Sequence, residues 1–519
     1  MTWKLVSGDT VAVLGAGTMG AGIAHVAAAA GHPVLLFDAA DGAVERARDT
    51  LRSRLERSVS RGRLSASDAE SIHSRITDAG DLGSLGSARL VIEAIVEDLG
   101  IKQAVLSDVA AVVAHDAVIA TNTSSLSVTA IAAGVPYSAR VAGMHFFNPA
   151  PVMPLVEIVS GAETLPDVAA GLFDAAIAWG KQPVRTASTP GFIVNRVARP
   201  FYGEALRLLQ EGVADAETID AVITGAGGFR MGPFALMDLV GLDVNLAVTT
   251  SVYQQTAHDS RFAPNVLQQA NVDAGRLGRK SGRGWFEYGD GAASGEGVTT
   301  LHGPSPVAVE AHGDLRWARP LVDRLRNGGV EVTDVAGGGP GHLIFDGIHL
   351  VPTDGATATR YAGSGVFGTG EIAVFDLVHD WSTATATAVA VADQASDNTR
   401  DAVGGLLTAA NLAAITVDDS PGLVVMRIVA QLASVAADAV RLGVASPHDI
   451  DTAMRLGTNY PLGPLEWADA LGPRLVVEAL DHLQAAYGED RYRAAFSLRR
   501  AALTGTQVSP PAEDLAPTT

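Results

Sequence analysis

One phrase occurs twice in this chain. Thr189–Arg196 reads TPGFIVNR, and Ser420–Arg427 reads SPGLVVMR. Pro421 follows Pro190 by 231 positions. The same offset relates Gly212 to Gly443, Ile219–Asp220 to Ile450–Asp451, Gly232–Pro233 to Gly463–Pro464, Asp238 to Asp469 and Gly241 to Gly472. A constant offset, held without a gap over about fifty residues, marks two copies of one structural unit. Both copies carry helical patterns, so the chain must fold around a duplicated all-α domain. The clearest break in the phrase is a lost polar side chain: Asn195 in the first copy is matched by Met426 in the second.

A chain of 519 residues is too long for one core and suggests about three or four domains. Its formal charge of −20 argues against general nucleic-acid binding, so any anionic ligand must be met by a local basic patch or by helix N-termini. No apolar run approaches the ~18 residues needed to span a bilayer, and no leader pattern opens the sequence. A soluble cytoplasmic protein without a membrane partner is expected. The lack of cysteine removes thiol catalysis, disulfides and zinc–thiolate sites.

Residues 1–188 alternate strand and helix patterns. TVAVLG (10–15), HPVLLFD (32–38), LVIEAI (90–95), AVIATNT (117–123), RVAGMHF (140–146) and LVEIVS (155–160) read as strands, and Thr18–Ala30 as an alanine-rich helix. Such alternation predicts an α/β domain of Rossmann type, a mainly parallel sheet covered by helices. Residues 189–290 turn all-α and close in the glycine-rich GRKSGRGWFEY (278–288). The polar stretch 289–305 reads as a linker. Residues 306–403 return to short β-rich runs but hold no G-x-G-x-x-G, which predicts a reduced, degenerate α/β domain that does not bind a dinucleotide. Residues 418–505 form the second all-α domain, and 506–519 read as a disordered tail.

GAGTMG (Gly15–Gly20) is a G-x-G-x-x-G that follows a strand and opens a helix. Gly15 permits the turn, Gly17 admits a pyrophosphate and Gly20 lets helix and sheet pack closely. The helix N-terminus stabilises the phosphates. Asp38 closes the next strand, where an acid accepts hydrogen bonds from the adenosine ribose and repels a 2′-phosphate, so NAD is favoured over NADP. His145 ends an apolar strand, and Glu157 lies inside another. A buried carboxylate needs a partner, and His145 is the nearest plausible one in sequence. A carboxylate that fixes the imidazole tautomer makes a good general base; the plainer reading is a satisfied core histidine beside an unrelated glutamate. TNTSSL (121–126) ends a strand at the ligand-binding edge, where its hydroxyls either bond substrate or, for Ser125, cap the next helix. Asn195 follows the Pro-Gly junction and is placed to reach a cleft between domains. Seven arginines lie between Arg46 and Arg63. Arg54, Arg57 and Arg61 share a helical face, which is either an anion-binding patch or a solvated surface.

Taken together, GAGTMG, VIEAIVE, TNTSSL, HFFNPAPVMPLVE, TPGFIVNR and GRKSGRGWFEY strongly resemble the (S)-3-hydroxyacyl-CoA dehydrogenase family, in its order and spacing over residues 10–290. The second helical copy extends the resemblance to the long bacterial form of aromatic-acid (phenylacetate-type) and butyrate-type catabolism. The resemblance implies that His145 takes the 3-hydroxyl proton of an acyl-CoA while hydride leaves for NAD. Glu157 would orient His145, and Ser124 and Asn195 would bond the substrate oxygens. It also implies cofactor contacts from Gly15, Ala16, Gly17, Thr18, Met19, Gly20, Asp38, Glu97, Lys102, Asn148 and Lys280, and places Arg54 and Arg61 near CoA. Hydride transfer of this kind needs no metal. Short members dimerise through the helical domain, so the second copy is expected in the partner's place, with a homo-oligomer of the whole chain left open. An NAD-dependent dehydrogenase of a non-CoA hydroxy acid or sugar acid is the alternative.

Overall fold

A computed structural model describes residues 3–289 and 297–509. The chain divides into two compact units: Met1–Arg196 with Leu442–Thr458, and Val197–Arg441 with Asn459–Thr519.

The first unit is built on a sheet of eight strands: β1 (Thr10–Leu14), β2 (Val34–Phe37), β3 (Ile76–Asp78), β4 (Ala88–Glu93), β5 (Val118–Thr121), β6 (Val141–Phe146), β7 (Leu155–Ser160) and β8 (Gln182–Ala187). Their order is β3-β2-β1-β4-β5-β6-β7-β8. Every neighbouring pair is parallel except β6 and β7. Val11, Val13, Val91, Ile92, Val118 and Ile119 are wholly buried, as expected where helices cover both faces of a parallel sheet. Strand order reverses between β1 and β4, which opens a ligand crevice beyond their carboxyl ends. Strands β3 and β8 are additions to the sequence reading; both are short or polar on one face.

The second unit carries the second sheet: β9 (Thr300–Leu301), β10 (Ala308–Asp314), β11 (Glu331–Pro340), β12 (His342–Phe345), β13 (Ile348–Pro352), β14 (Ile372–Phe375), β15 (Ala386–Val391) and β16 (Ala413–Thr416). It is mixed, in the order β11-β10-β12-β13-β14-β15-β16-β9. The sheet therefore runs from Thr300 to Thr416, wider than the 306–403 read from sequence. The expected linker at 289–305 contributes β9, which pairs with β16; residues 290–296 lie outside the described residues. Of the expected tail, Val508 and Ser509 donate their amides to Asp469 at 2.7 and 2.9 Å, and 510–519 lie outside the described residues.

The residues that both copies share are the ones that hold backbone. Gly191 and Gly422 have φ of 73° and 72°, and the next residues, Phe192 and Leu423, have φ of 48° and 49°. The Pro-Gly turn is thus repeated dihedral by dihedral, and glycine carries the left-handed geometry at no steric cost. Asp220 accepts the amides of Phe234 and Ala235 at 3.0 and 2.8 Å, which fixes the start of the helix opened by Gly232–Pro233. Burial pushes its carboxyl up to about 7.

Each helical copy also packs on the sheet of the other. In the first unit the second copy's helix Pro447–Thr458 lies on β7 and β8, and Ala187 N donates to Val444 O at 2.8 Å. In the second unit the first copy's helix Ala216–Gly225 lies on β15, and Asp418 N donates to Val213 O at 2.9 Å. Asp418 is Ala187 advanced by 231, and Val213 is Val444 set back by 231, so the two bonds are mates. Within the second unit the helices Arg199–Gln210 and Val425–Arg441 pack together, and the mates Phe229 and Tyr460 meet at 5.0 Å between ring centroids. Arg427, fully buried, pairs there with Glu204 and Glu211, each at 2.8 Å. Opposite charges and further hydrogen bonds satisfy a guanidinium that would otherwise be costly to bury.

Candidate active site

The glycine loop meets the demands placed on it. Gly15 has φ of 97°, and a Cβ there would lie 2.5 Å from Ala94 O; a Cβ at Gly20 would lie 1.8 Å from Gly15 O. Only glycine fits these two approaches. A Cβ at Gly17 would meet nothing within 4 Å, so that backbone is open to a ligand. Asp38 accepts the amide of Ala16 at 2.7 Å and that of Ala40 at 2.9 Å, tying the loop to the end of β2. Gly17, Thr18, Asp38, His25, Arg46 and Arg54 line a cavity of about 390 Å³. Burial, with Arg54 and Lys181 adding to it, holds His25 below the usual imidazole range. These residues fit a dinucleotide: open backbone at a helix N-terminus for phosphate, and an acid for ribose. Met19 is half-buried behind the loop. Arg61 stands at the exposed C-terminal end of the helix Ala43–Ser60, and it does not join Arg54 in lining this cavity.

At the ends of β6 and β7, His145 and Glu157 face each other in register. Nδ1 of His145 lies 2.7 Å from Oε2 of Glu157, and the two residues are 5% and 1% exposed. An ionised carboxylate only accepts, so Nδ1–H donates and Nε2 is left as the basic nitrogen. The other oxygen of Glu157, Oε1, accepts the amides of Ile193 and Val194, both at 3.0 Å. One side chain therefore orients the imidazole and anchors the start of the first helical copy. Phe147 and Phe192 flank the imidazole, with ring centroids at 4.5 and 5.9 Å.

Asn195 lies in the short helix Val194–Val197, and its Nδ2 donates to Ser124 O at 3.3 Å. The first unit thus brings Asn195, Ser124, His145 and Glu157 to one edge of the sheet. Of the two roles the sequence left open for Ser125, capping the next helix is not the one it takes. The cap of Val128–Ala133 is Ser127, and the Ser125 hydroxyl donates to Glu97 at 2.9 Å. Glu97 Oε1 also accepts from Thr123 Oγ1 and from the amides of Ser124 and Ser125. Lys102 is 1% exposed, and its ammonium is enclosed by Glu93 at 2.6 Å and Glu97 at 3.1 Å. Asn148 is exposed and precedes Pro149 through a cis peptide bond. Lys280 belongs to the second unit, where it pairs with Asp243 at 2.6 Å.

Three side chains at this edge were missed in the sequence. Glu93 ends β4 wholly buried; an acid within an apolar run is the same signal that singled out Glu157. Asn122 Oδ1 accepts the amide of Phe146 at 2.8 Å, which fixes the residue next to His145. Lys181 donates to the carbonyls of Ala150 and Met153 at 2.6 and 2.9 Å, holding the loop after Asn148, and burial lowers its pKa.

The repeat extends into the second sheet. Strands β14, β15 and β16 reproduce the antiparallel-then-parallel pairing of β6, β7 and β8. Advancing by 231 puts Asp376 at the strand position of His145 and Ala388 at that of Glu157, and Asp376 N indeed donates to Ala388 O at 2.9 Å. Asp376 is wholly buried and accepts the amides of Val424, Val425 and Met426 at 2.8, 2.6 and 3.1 Å. Two of these, Val424 and Val425, are the mates of Ile193 and Val194. Burial raises its carboxyl to about 6, against the pull of these amides.

Comparison with known proteins agrees with this geometry. Residues 10–189 match the 3-hydroxyacyl-CoA dehydrogenase NAD-binding domain, and 191–288 and 422–507 both match the C-terminal domain of that family. Residues 350–421 match the reduced Rossmann-fold domain of 3-hydroxybutyryl-CoA dehydrogenase. The 3-hydroxyadipyl-CoA dehydrogenase of Escherichia coli is 44% identical over 96% of this chain and 98% of its own length. The crystal structure of a 3-hydroxybutyryl-CoA dehydrogenase from E. coli K12 superposes with a TM-score of 0.87 at 41% identity, covering 96% of this chain and 99% of that one. Human mitochondrial hydroxyacyl-coenzyme A dehydrogenase is 38% identical over 54% of this chain and 90% of its own length. The chain belongs to the 3-hydroxyacyl-CoA dehydrogenase family and is an NAD-dependent enzyme of that family.

Proposed function

We infer that this enzyme oxidises an (S)-3-hydroxyacyl-CoA to the 3-oxoacyl-CoA with His145 as general base. The observation that carries the reading is the buried 2.7 Å contact between His145 Nδ1 and Glu157 Oε2. Nε2 of His145 accepts the 3-hydroxyl proton, and Glu157 stabilises the imidazolium that results. The Ser124 hydroxyl and the Asn195 amide bond the substrate oxygens and fix the angle of the reacting carbon. NAD, when bound, supplies the hydride acceptor. Residues Gly15–Gly20 and Asp38 hold its phosphates and ribose, and Glu97, Lys102, Asn148 and Lys280 are its further contacts. Arg54, beside the glycine-loop cavity, and Arg61 meet phosphates of CoA; binding energy at this remote handle improves positioning at C3.

The identity to a 3-hydroxyadipyl-CoA dehydrogenase supports an acyl group ending in a carboxylate, and a place in fatty-acid or phenylacetate-type catabolism in the cytoplasm. The reciprocal packing of helical copies on sheets supports a second copy that replaces a dimer partner. NADH formation from a panel of 3-hydroxyacyl-CoAs, butyryl and adipyl forms included and NADP as control, tests the function; no turnover of any CoA thioester would sink it. Separate expression of residues 1–290 tests the partner reading. A dimer or aggregate is expected, and a well-behaved, fully active monomer would count against it.

A further inference from the structure

We propose that the second half of the chain keeps a ligand site of its own, a crevice at the carboxyl ends of β10 and β13 that binds a small organic carboxylate through Arg316, His482 and Thr353.

The crevice lies where the first sheet has its own. Strands β11-β10-β12-β13 repeat the order β2-β1-β4-β5. Strand β12 is antiparallel to both neighbours, so β10 and β13 run the same way, and ligands of open α/β sheets bind beyond the carboxyl ends of such strands. A cavity of about 450 Å³ opens there, with Trp317, Pro352 and Leu475 among its apolar walls. Its polar corner comes from the repeat, one position out of step. His349 pairs with Ile372 as Ile119 pairs with Val141; Ile372 is Val141 advanced by 231, but His349 is Ile119 advanced by 230. Thr357 caps the helix Ala358–Ser364 as Ser127 caps Val128–Ala133, again 230 positions on. Thr353 Oγ1 accepts the Gly355 amide at 3.1 Å, as Thr123 Oγ1 accepts that of Ser125 at 3.4 Å. Thr353 thus stands at the place of Thr123, and Asp354 at that of Ser124.

The carboxylates around this crevice are engaged, while several donors are not. Asp354 accepts the Ala356 amide at 3.0 Å and the Tyr361 hydroxyl at 2.7 Å. Nδ1 of His482 lies 3.2 Å from the Asp354 carbonyl and 3.5 Å from its Oδ1. Hydrogen bonding to the Asp354 side chain raises the pKa of His482 against the pull of burial, which keeps a proton on each ring nitrogen. Glu478 accepts from Arg316 Nη1 at 2.8 Å and from Arg474 Nε at 3.0 Å. Asp314, exposed, accepts the Arg316 amide at 2.9 Å. Among the described residues, Nε2 of His482, Nη2 of Arg316 and the hydroxyl hydrogen of Thr353, a residue 1% exposed, have no acceptor. Asp314, Asp354 and Glu478 are balanced by Arg316, Arg474 and a protonated His482, so the crevice takes one negative charge at its donors more readily than two. A carboxylate brings that single charge and two oxygens to bond them, and the apolar walls take its body.

The backbone gives a second, independent sign. The turn that leaves β1 is left-handed at Gly15, with φ of 97°; the turn that leaves β10 is left-handed at Arg316, with φ of 50°. Glycine adopts that region freely and a long side chain does not. Backbone strain of this kind gathers at ligand clamps, where the side chain it presents is needed.

Calorimetric titration of the full chain provides the test, with benzoate as the probe and benzylamine, benzyl alcohol and inorganic phosphate beside it. One benzoate should bind per chain. Benzyl alcohol, the neutral counterpart, should bind at least about tenfold more weakly, as the loss of one hydrogen bond to a charged group implies. His482→Gln should weaken benzoate by about the same factor. Arg316→Gly should abolish benzoate binding and hold or raise the urea midpoint, because glycine relieves the left-handed turn and the exposed pair with Glu478 contributes little. His145→Gln should bind benzoate as the wild type does. Benzoate binding lost in His145→Gln but kept in Arg316→Gly would put the carboxylate in the first crevice and overturn the proposal. Tighter binding of benzylamine or phosphate than of benzoate would overturn it as well, and so would the absence of saturable benzoate binding up to roughly 20 mM, beyond the millimolar range open to a probe this small.

Discussion

His145 and Glu157 in the first sheet stand where Asp376 and Ala388 stand in the second. In both sheets a buried carboxylate collects the first amides of the helical copy that follows: Ile193 and Val194 in one, Val424 and Val425 in the other. The routes differ. Glu157 reaches those amides from β7 with one oxygen and spends the other on an imidazole, whereas Asp376 reaches them directly from the histidine's own position. The anchoring demand comes from folding, since amides at a helix start must find an acceptor, and it survives in a copy that has no imidazole at this position.

The comparison breaks most visibly at His145. His145→Gln should lower kcat by about 10³-fold with little change in unfolding midpoint, because Glu157 keeps Ile193 and Val194; a loss of only a few-fold would remove His145 from the mechanism. The next contrast separates the mates in the repeated phrase. Asn195→Ala should cost about 100-fold in kcat, while Met426→Ala should leave turnover per folded molecule unchanged and cost roughly 2–4 kcal/mol in urea unfolding, as truncation of a buried methionine does. A catalytic defect in the Met426 variant would mean the second copy still serves the site.

Asp376 sharpens the comparison by its pH dependence. Its folded-state pKa of about 6 lies above the unfolded carboxylate value, so its contribution to stability is fully present below pH ~4 and is lost as pH rises through 6, by at most about 3 kcal/mol. Asp376→Asn should therefore flatten the change in urea midpoint between pH 4 and 6.5, and an unaltered slope would clear Asp376 of that role. The smallest effect belongs to the surface. Arg54→Gln should raise KM for the acyl-CoA about threefold at low ionic strength and less in high salt, as for any exposed charge.

Much of this was legible in the sequence because the informative residues are ones physics does not let vary freely. Gly15 and Gly20 sit where a Cβ would strike backbone. The 231-residue offset shows in the helical copies because Pro, Gly and capping Asp residues mark their turns. The same offset runs through β14–β16, yet it is invisible there: Val, Ile, Leu and Ala substitute for one another in a buried strand at small cost, so Ala388 carries no trace of Glu157. Asp376 read as one more acid in an apolar run. Lys102 was legible only as a residue of the family pattern, since nothing in the sequence tells a buried ammonium from an exposed one, and Glu93 was passed over beside it. The swap of helical copies between sheets was likewise hidden, because it depends on contacts far apart along the chain, such as Ala187 with Val444 and Val213 with Asp418.

Arg261 meets Asp438 at 2.6 Å; its mate, Tyr492, meets Arg207 through a ring face at 5.8 Å. Arg207 and Asp438 are themselves mates, 231 positions apart, with opposite charge. In a dimer of identical chains every substitution is written twice, once on each side of the axis, so no position can oppose its own copy. Joining the two copies in one chain lifts that restriction. Self-pairing of the first copy would set Arg261 against Arg207 at both places, whereas pairing with the second copy offers an acid at one and an aromatic face at the other. The duplicated half is thus free to be unlike the half it packs against.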